Sequence, residues 1–125
     1  MAERNFDKVE TLGRKKRMVC GSFKPNGSSA IDTTQNVGTG WTVAYTTTGV
    51  YTVTFTDKYG GRCSAKASLI QATRTQTVEV ASCSATGGTM VIHGFAVGST
   101  TLADITAATA TFIDFEVIFD DQANL

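Results

Sequence analysis

Two runs of alternating residues, separated by a short turn, constrain the fold of this chain more than any other feature. Residues 41–46 read Trp-Thr-Val-Ala-Tyr-Thr, residues 51–56 read Tyr-Thr-Val-Thr-Phe-Thr, and Gly49 lies between them. Because successive side chains of a strand point to opposite faces of its sheet, each run places aromatic and β-branched residues on one face. The other face is almost entirely threonine. The pattern predicts a β-hairpin with a buried aromatic face.

The same alternation, interrupted by turn-forming residues, recurs along most of the chain. Turns are predicted at Pro25-Asn26-Gly27, at residues 57–61 and at residues 86–88. Further strands are predicted at residues 18–23, 62–70, 76–84, 89–97 and 112–119. A polar loop is expected up to about Gly40, and one helical turn or a tucked loop at residues 98–111. About seven to eight strands with closely spaced turns predict an all-β fold, a single antiparallel β-sandwich or a jelly-roll-like barrel.

The composition agrees with one folded domain of this class. Apolar residues make up 42% of the 125 residues and charged residues only 18%, so uncharged side chains must supply the polar surface. The chain has 21 threonines and eight serines, and β-branched threonine suits a pleated surface. The predicted core consists of Trp41, Val43, Tyr51, Val53, Phe55, Ile92, Phe95, Phe115, Val117 and Phe119.

The formal net charge is zero, but its distribution is uneven. Residues 1–24 hold seven bases and three acids, a net charge of +4, whereas residues 25–125 hold four bases and eight acids, a net charge of −4. Residues 1–17 are therefore expected to form a basic N-terminal arm, and residues 18–125 a β-sandwich domain. The arm's predicted partner-binding residues are Arg14, Lys15, Lys16 and Arg17.

This basic run also fits a merely solvated arm, a plain charged strand or a segment that contacts phosphates. Four clustered cations would bind a phosphate backbone in a salt-dependent way. However, no aromatic stacking platform lies beside the run, and the rest of the chain is acidic. We therefore expect protein partners and no nucleic acid.

No group of residues has the pattern of a catalytic or metal site. His93 is the single histidine and has no partner at ligand spacing, and no serine lies in a Gly-x-Ser-x-Gly motif. The Gly38-Thr39-Gly40 segment precedes a strand rather than a helix, so it lacks the geometry of a phosphate-binding loop. The aspartates show no EF-hand spacing, although a loop-bound Ca²⁺ stays open. We expect a protein that is not an enzyme and has no cofactor, metal or small-molecule substrate.

Three cysteines, Cys20, Cys63 and Cys83, are too few for a disulfide framework and lack zinc-site spacing. Reduced, half-buried thiols are favoured, and one Cys63–Cys83 bridge between neighbouring strands stays open. The sequence shows no secretory signal and no apolar run of the ~20 residues that a membrane span needs. We expect synthesis in a cytoplasm and no membrane contact.

Two segments resemble parts of small virion structural proteins of tailed bacteriophages. The hairpin of residues 40–55 is similar to the glycine-and-aromatic hairpin of those proteins, and Phe112-Ile-Asp-Phe-Glu-Val-Ile-Phe119, after a loop with Ala103-Asp104, is similar to their last strand. The same plan resembles the C1q/TNF-like jelly roll, in which a Gly-x-Tyr hairpin and a Phe-rich final strand surround a trimer axis. The chain departs from that family in its basic arm and in having no collagen stalk.

The resemblance covers roughly residues 17–119 and implies a virion protein made in a host cytoplasm. Its best match in role is a head decoration (cement) protein, with the major capsid protein and itself, as a homotrimer, for partners. A tail, baseplate or fibre-tip module is the alternative. A receptor- or carbohydrate-binding β-sandwich is a further alternative, and it needs Trp41, Tyr45 or Tyr59 as an exposed stacking platform.

Overall fold

Nine β-strands make up the regular structure of the part of the chain that the computed structural model describes, residues 8–11, 14–27, 30–58 and 62–121. They are β1 (Lys8–Thr11), β2 (Arg14–Pro25), β3 (Ile31–Val37), β4 (Trp41–Thr47), β5 (Val50–Phe55), β6 (Arg62–Ile70), β7 (Gln76–Ser84), β8 (Thr89–Ala96) and β9 (Phe112–Asp121). No helix occurs within these ranges. The all-β prediction is therefore confirmed.

The strands form two antiparallel sheets. In the larger sheet β2 pairs with β9, and β9 pairs with β6. β2 also pairs with β1 through residues 14–17 and with β3 through residues 22–25. The smaller sheet has the order β4-β5-β8-β7. Since the apolar faces of the two sheets share one core, the antiparallel β-sandwich is the form that this sequence takes.

The sheets hold more strands than predicted, because β1 and β3 lie in segments whose apolar and polar residues do not alternate. β3 occupies a segment expected to be a polar loop, and its sequence Ile-Asp-Thr-Thr-Gln-Asn-Val has apolar residues only at its ends. Its pairing with β2 is also irregular, since the register shifts between Ser22 and Lys24. Such a strand is held by its backbone hydrogen bonds to β2 and not by a buried apolar face. Its sequence therefore lacks the alternation of apolar and polar residues that would predict a strand.

The core lies between the sheets. Its thirteen buried hydrophobic residues are Phe23, Trp41, Tyr51, Val53, Phe55, Ala85, Met90, Ile92, Ile105, Ile113, Phe115, Val117 and Phe119. Trp41 meets Phe115 edge to face at 4.9 Å between ring centroids, and Phe55 meets Phe119 in the same way at 5.1 Å. Such pairs are a favoured aromatic geometry. The aromatic hairpin and the final strand thus pack directly on each other.

Of the predicted core residues, one is only half-buried and another lies outside the core. Val43 is half-buried and packs against the edge of the core. Phe95 lies on the outer face of β8, because Met90, Ile92 and Gly94 are the residues of that strand that face inward. The prediction for Phe95 is therefore wrong, because Phe95 is three positions from Ile92 and two residues at that spacing cannot face the same side of one strand.

The segment between β8 and β9 is a tucked loop, the second of the two forms expected there. Ile105 is fully buried, and its backbone N–H donates a hydrogen bond to the Tyr51 hydroxyl at 3.0 Å. The Asp104 carboxylate accepts hydrogen bonds from the Tyr45 hydroxyl at 2.9 Å and from the Gly49 N–H at 2.7 Å. Gly49 has a φ of 70°, which suits glycine in the hairpin turn. The loop is thus fixed to the β4–β5 turn.

The expected boundary between arm and domain falls inside a strand. β2 runs without a break from Arg14 to Pro25, so the backbone of residues 14–17 belongs to the larger sheet. Lys15 lies opposite Asp121 in the register, and Lys16 lies opposite Asp120. Residues 1–7 and 12–13 lie outside the described residues.

Candidate functional site

A metal-binding cluster is not found within the described residues. There, no three or more histidine, cysteine, aspartate or glutamate side chains come close enough to hold a metal ion. His93 lies on the outer face of β8, opposite Val50 on one side and Glu79 on the other, and its ring meets the Phe95 ring at 6.3 Å. That the chain is not an enzyme stays a prediction. The candidate site is therefore sought on the two outer sheet faces.

One part of the outer face of the smaller sheet is built mainly from hydroxyl-bearing side chains. In one row across the strands, Thr42 lies opposite Thr54, Thr54 opposite Thr89, and Thr89 opposite Ser84. The next row consists of Ala44, Thr52, Val91 and Ser82. We call these eight residues, together with Thr46, the hydroxyl face.

The hydroxyl face is almost free of charge. Among the residues of β4, β5, β7 and β8, Glu79 is the single acid or base other than His93. Neighbouring hydroxyls also satisfy each other, since the Thr46 and Thr52 oxygens are 2.7 Å apart. Threonine is stiff at χ1, so its side chains lose little freedom when a partner covers them. Each hydroxyl can donate and accept a hydrogen bond. This arrangement suits contact with a large, flat surface.

The outer face of the larger sheet has a different character, and we call it the charged face. Asp114 lies between Ser22 and Ser68 in the register, and Glu116 lies between Cys20 and Lys66. The Lys66 ammonium is 3.9 Å from Glu116, and both side chains are well exposed, so this ion pair adds little stability. An open groove of about 610 Å³ lies over these strands. The charged face also exposes the apolar side chains of Met18 and Ile70.

Lys24, one of the seven basic residues among residues 1–24, contacts the tucked loop and the start of β9. The Lys24 ammonium lies 4.8 Å from the centre of the Phe112 ring, and it donates to the backbone carbonyls of Ala108, Thr109 and Thr111. Such a contact between a cation and an aromatic face is attractive. Lys24 therefore fixes the end of the tucked loop to β2.

The predicted partner-binding run lies at the start of β2. Arg14, Lys15 and Lys16 belong to this strand by their backbone, and the Arg17 side chain is exposed. The register places the run beside the end of β9, where the chain carries two aspartates of its own. Binding of a partner by these four residues stays a prediction.

Two of the three aromatic residues that could stack on a carbohydrate are engaged in contacts within the protein. Trp41 is only 7% exposed and packs in the core. Tyr45 is half-buried and donates its hydroxyl to Asp104. Tyr59 lies outside the described residues. The structure therefore offers neither Trp41 nor Tyr45 as a stacking surface.

Sequence reasoning found only half of the hydroxyl face. The threonines of the β4–β5 hairpin were expected to form a polar face, but the part on β7 and β8 was not. A register shift between Val80 and Ser82 changes the phase of β7 and turns Ser82 and Ser84 outward. The scarcity of charge in residues 76–84 and 89–96 was the signal that could have pointed to it.

Neither the helix content nor comparison with known proteins points to a function. The described residues contain no helix that is long and apolar enough to cross a bilayer. No protein-family model, no curated protein and no solved structure matches this chain.

Proposed function

We propose that this chain is a virion structural protein of the head decoration type, which binds the major capsid protein and stabilises the phage head through protein contacts. The observation that carries the proposal is the hydroxyl face, a sheet face of eight strand-borne hydroxyl or small apolar residues plus Thr46 with almost no charge. The resemblance of residues 40–55 and 112–119 to phage virion proteins supplies the identity of the partner.

The physical basis is the low cost of covering such a face. A buried charge without a partner is expensive, whereas a hydroxyl needs only one hydrogen bond to be satisfied. The central parts of protein interfaces are accordingly depleted of charged residues. The hydroxyl face has this composition and the charged face does not. The domain would therefore lie with its smaller sheet on the capsid and its larger sheet toward solvent.

The basic run of β2 has a secondary place in this proposal. Arg14, Lys15, Lys16 and Arg17 would meet acidic side chains of the capsid and orient the domain. Exposed ion pairs contribute only about 0.2–1 kcal/mol each, so they affect the association rate more than the affinity. Replacing all four by glutamine should weaken attachment to heads at low salt and have little effect at high salt.

The same face also suits a tail, baseplate or fibre-tip module, which is the second candidate. A carbohydrate-binding role has less support, because Trp41 and Tyr45 are not exposed platforms. The two virion roles differ in where the protein is found. Purified phage particles should be separated into heads and tails, and each fraction probed for the protein.

The proposal expects the protein on heads, and it expects purified protein to rebind heads from which it has been removed. Recovery on tails alone would establish the second candidate instead. Recovery on neither fraction would contradict a virion role altogether.

A further inference from the structure

Two of the three cysteines meet where the edges of the two sheets come together. Cys63 lies on β6, the edge strand of the larger sheet, and Cys83 lies on β7, the edge strand of the smaller sheet. Their sulfur atoms are 2.8 Å apart. In the register, Cys63 faces Phe119 and Cys83 faces Met90, and both of these residues are fully buried. The pair therefore closes one side of the core.

This separation is shorter than the contact distance of two unbonded sulfur atoms. A disulfide bond is about 2.05 Å long, so the sulfurs would approach each other by less than about 1 Å. Both side chains are half-buried, which leaves a path for a small reagent. Burial, with the Cys63 thiol adding to it, raises the pKa of Cys83 to about 12. Cys83 thus stays protonated at neutral pH, and the reduced pair persists until an oxidant acts.

The third cysteine is placed where it cannot compete. Cys20 is exposed on the charged face of β2. Cys63 belongs to the same sheet but packs against the core on its inner face. A bond between Cys20 and Cys63 would have to pass through the sheet. Cys20 lies on the outside of its sheet, whereas Cys63 and Cys83 both pack against the core. The fold therefore favours the Cys63–Cys83 pairing.

We propose that Cys63 and Cys83 form a disulfide that joins the two sheets when the protein meets an oxidising solution. The oxidant is a small disulfide such as oxidised glutathione. One cysteine sulfur, after losing its proton, attacks this disulfide and releases one small thiol. The second cysteine loses its proton, attacks the mixed disulfide and releases the other small thiol. Two protein thiols and one small disulfide thus become one protein disulfide and two small thiols.

The bond changes stability in a predictable direction. Cys63 and Cys83 are 20 positions apart, so the bond closes a loop that includes the turn between β6 and β7. Closing a loop of this size restricts the unfolded chain. We expect the oxidised protein to melt roughly 5–15 °C above the reduced protein.

The test uses the full chain, reduced and then incubated with excess oxidised glutathione. Free thiols are alkylated, the linked peptides are mapped by mass spectrometry, and the melting temperature is measured before and after oxidation. We expect a peptide pair that links Cys63 to Cys83, with the exposed Cys20 recovered either as a free thiol or as a glutathione adduct. Cys20→Ser should behave as the parent protein, whereas Cys83→Ser should form no internal bond and show no rise in melting temperature.

The inference is overturned if all three cysteines stay free, if only glutathione adducts form, or if the linked peptide contains Cys20. Should Cys83→Ser fail to fold, the mapping in the parent protein and in Cys20→Ser still decides the outcome. Cys63 and Cys83 pack against the core, whereas Ser82 and Ser84, the neighbours of Cys83, point to the opposite side of β7 and belong to the hydroxyl face. Failure to form the disulfide would therefore not count against the proposed capsid contact.

Discussion

At the scale of single residues, β2 packs tightly on Trp41 at Gly21. Gly21 faces inward there, and a Cβ atom at this position would overlap the Trp41 indole ring. Gly21 is not among the glycines with positive φ, so the need for glycine is steric. We expect Gly21→Ala to cost about 1–3 kcal/mol through overpacking.

A fall in melting temperature would show this effect, because a change of 1 kcal/mol moves the melting point of such a domain by several degrees. Ser64→Ala, at an exposed position of β6, is the matched control and should leave the melting temperature unchanged. Equal stability of Gly21→Ala and the parent would mean that Trp41 has another position in the fold.

Tyr51 provides a second test at this scale. Burial raises its pKa above the usual 10.0, the nearby Asp104 and Tyr45 add to the effect, and the hydrogen bond from the Ile105 N–H opposes it. The folded protein thus holds this proton more tightly than the unfolded chain. Stability is therefore complete below about pH 10 and falls as the pH rises further.

The phenolate absorbance of the folded protein should include a component that ionises above pH 10, from the raised pKa of Tyr51. Tyr51→Phe should remove that late component, whereas Tyr45→Phe should leave it in place. Ionisation of all tyrosines together at their usual pH, before any unfolding, would contradict the buried position of Tyr51.

At the scale of elements, the tucked loop depends on one carboxylate. Asp104 accepts hydrogen bonds from both the Tyr45 hydroxyl and the Gly49 N–H. Asp104→Ala removes both acceptor contacts, and a hydrogen bond to a charged group is worth about 1.5–3 kcal/mol. We expect a clear loss of thermal stability and faster amide exchange at Ile105. Asp104→Asn keeps an acceptor oxygen and should lose less. If neither change lowered the stability, the Asp104 contacts would not be what holds the loop.

The elements also show how far the sequence alone could lead. The β4–β5 hairpin and β9 were predictable, because each buries one face and therefore alternates. β3 was not, since it buries almost nothing. The loop position of Ile105 and the phase of Ser82 depend on tertiary contacts and on a register shift. Whether Cys63 meets Cys83 depends on how the sheets are stacked, which no local pattern encodes. The part of the hydroxyl face on the β4–β5 hairpin was predictable from the alternation. The part on β7 and β8 was not, because it depends on the register shift in β7.

At the scale of the whole molecule, the sandwich presents one charged and one nearly uncharged face. It also leaves β4 as an edge strand of the smaller sheet. Open edges invite further pairing, and closed symmetry hides them. We therefore propose a closed oligomer, and the resemblance to the C1q/TNF-like jelly roll favours a homotrimer. Light scattering at increasing concentration should give the trimer mass, and a monomer that persists at high concentration and on the particle would contradict this proposal.

The most direct test of the central claim is the affinity of stripped heads for two matched lysine variants. Thr54→Lys places a charge in the centre of the hydroxyl face, and Ser64→Lys places the same charge on the exposed side of β6. If the hydroxyl face is the contact, Thr54→Lys should bind at least about tenfold more weakly, a loss of about 1.4 kcal/mol or more. Ser64→Lys should bind as the parent protein does. Parent-like binding by Thr54→Lys, with both variants folded, would show that the capsid contact lies elsewhere.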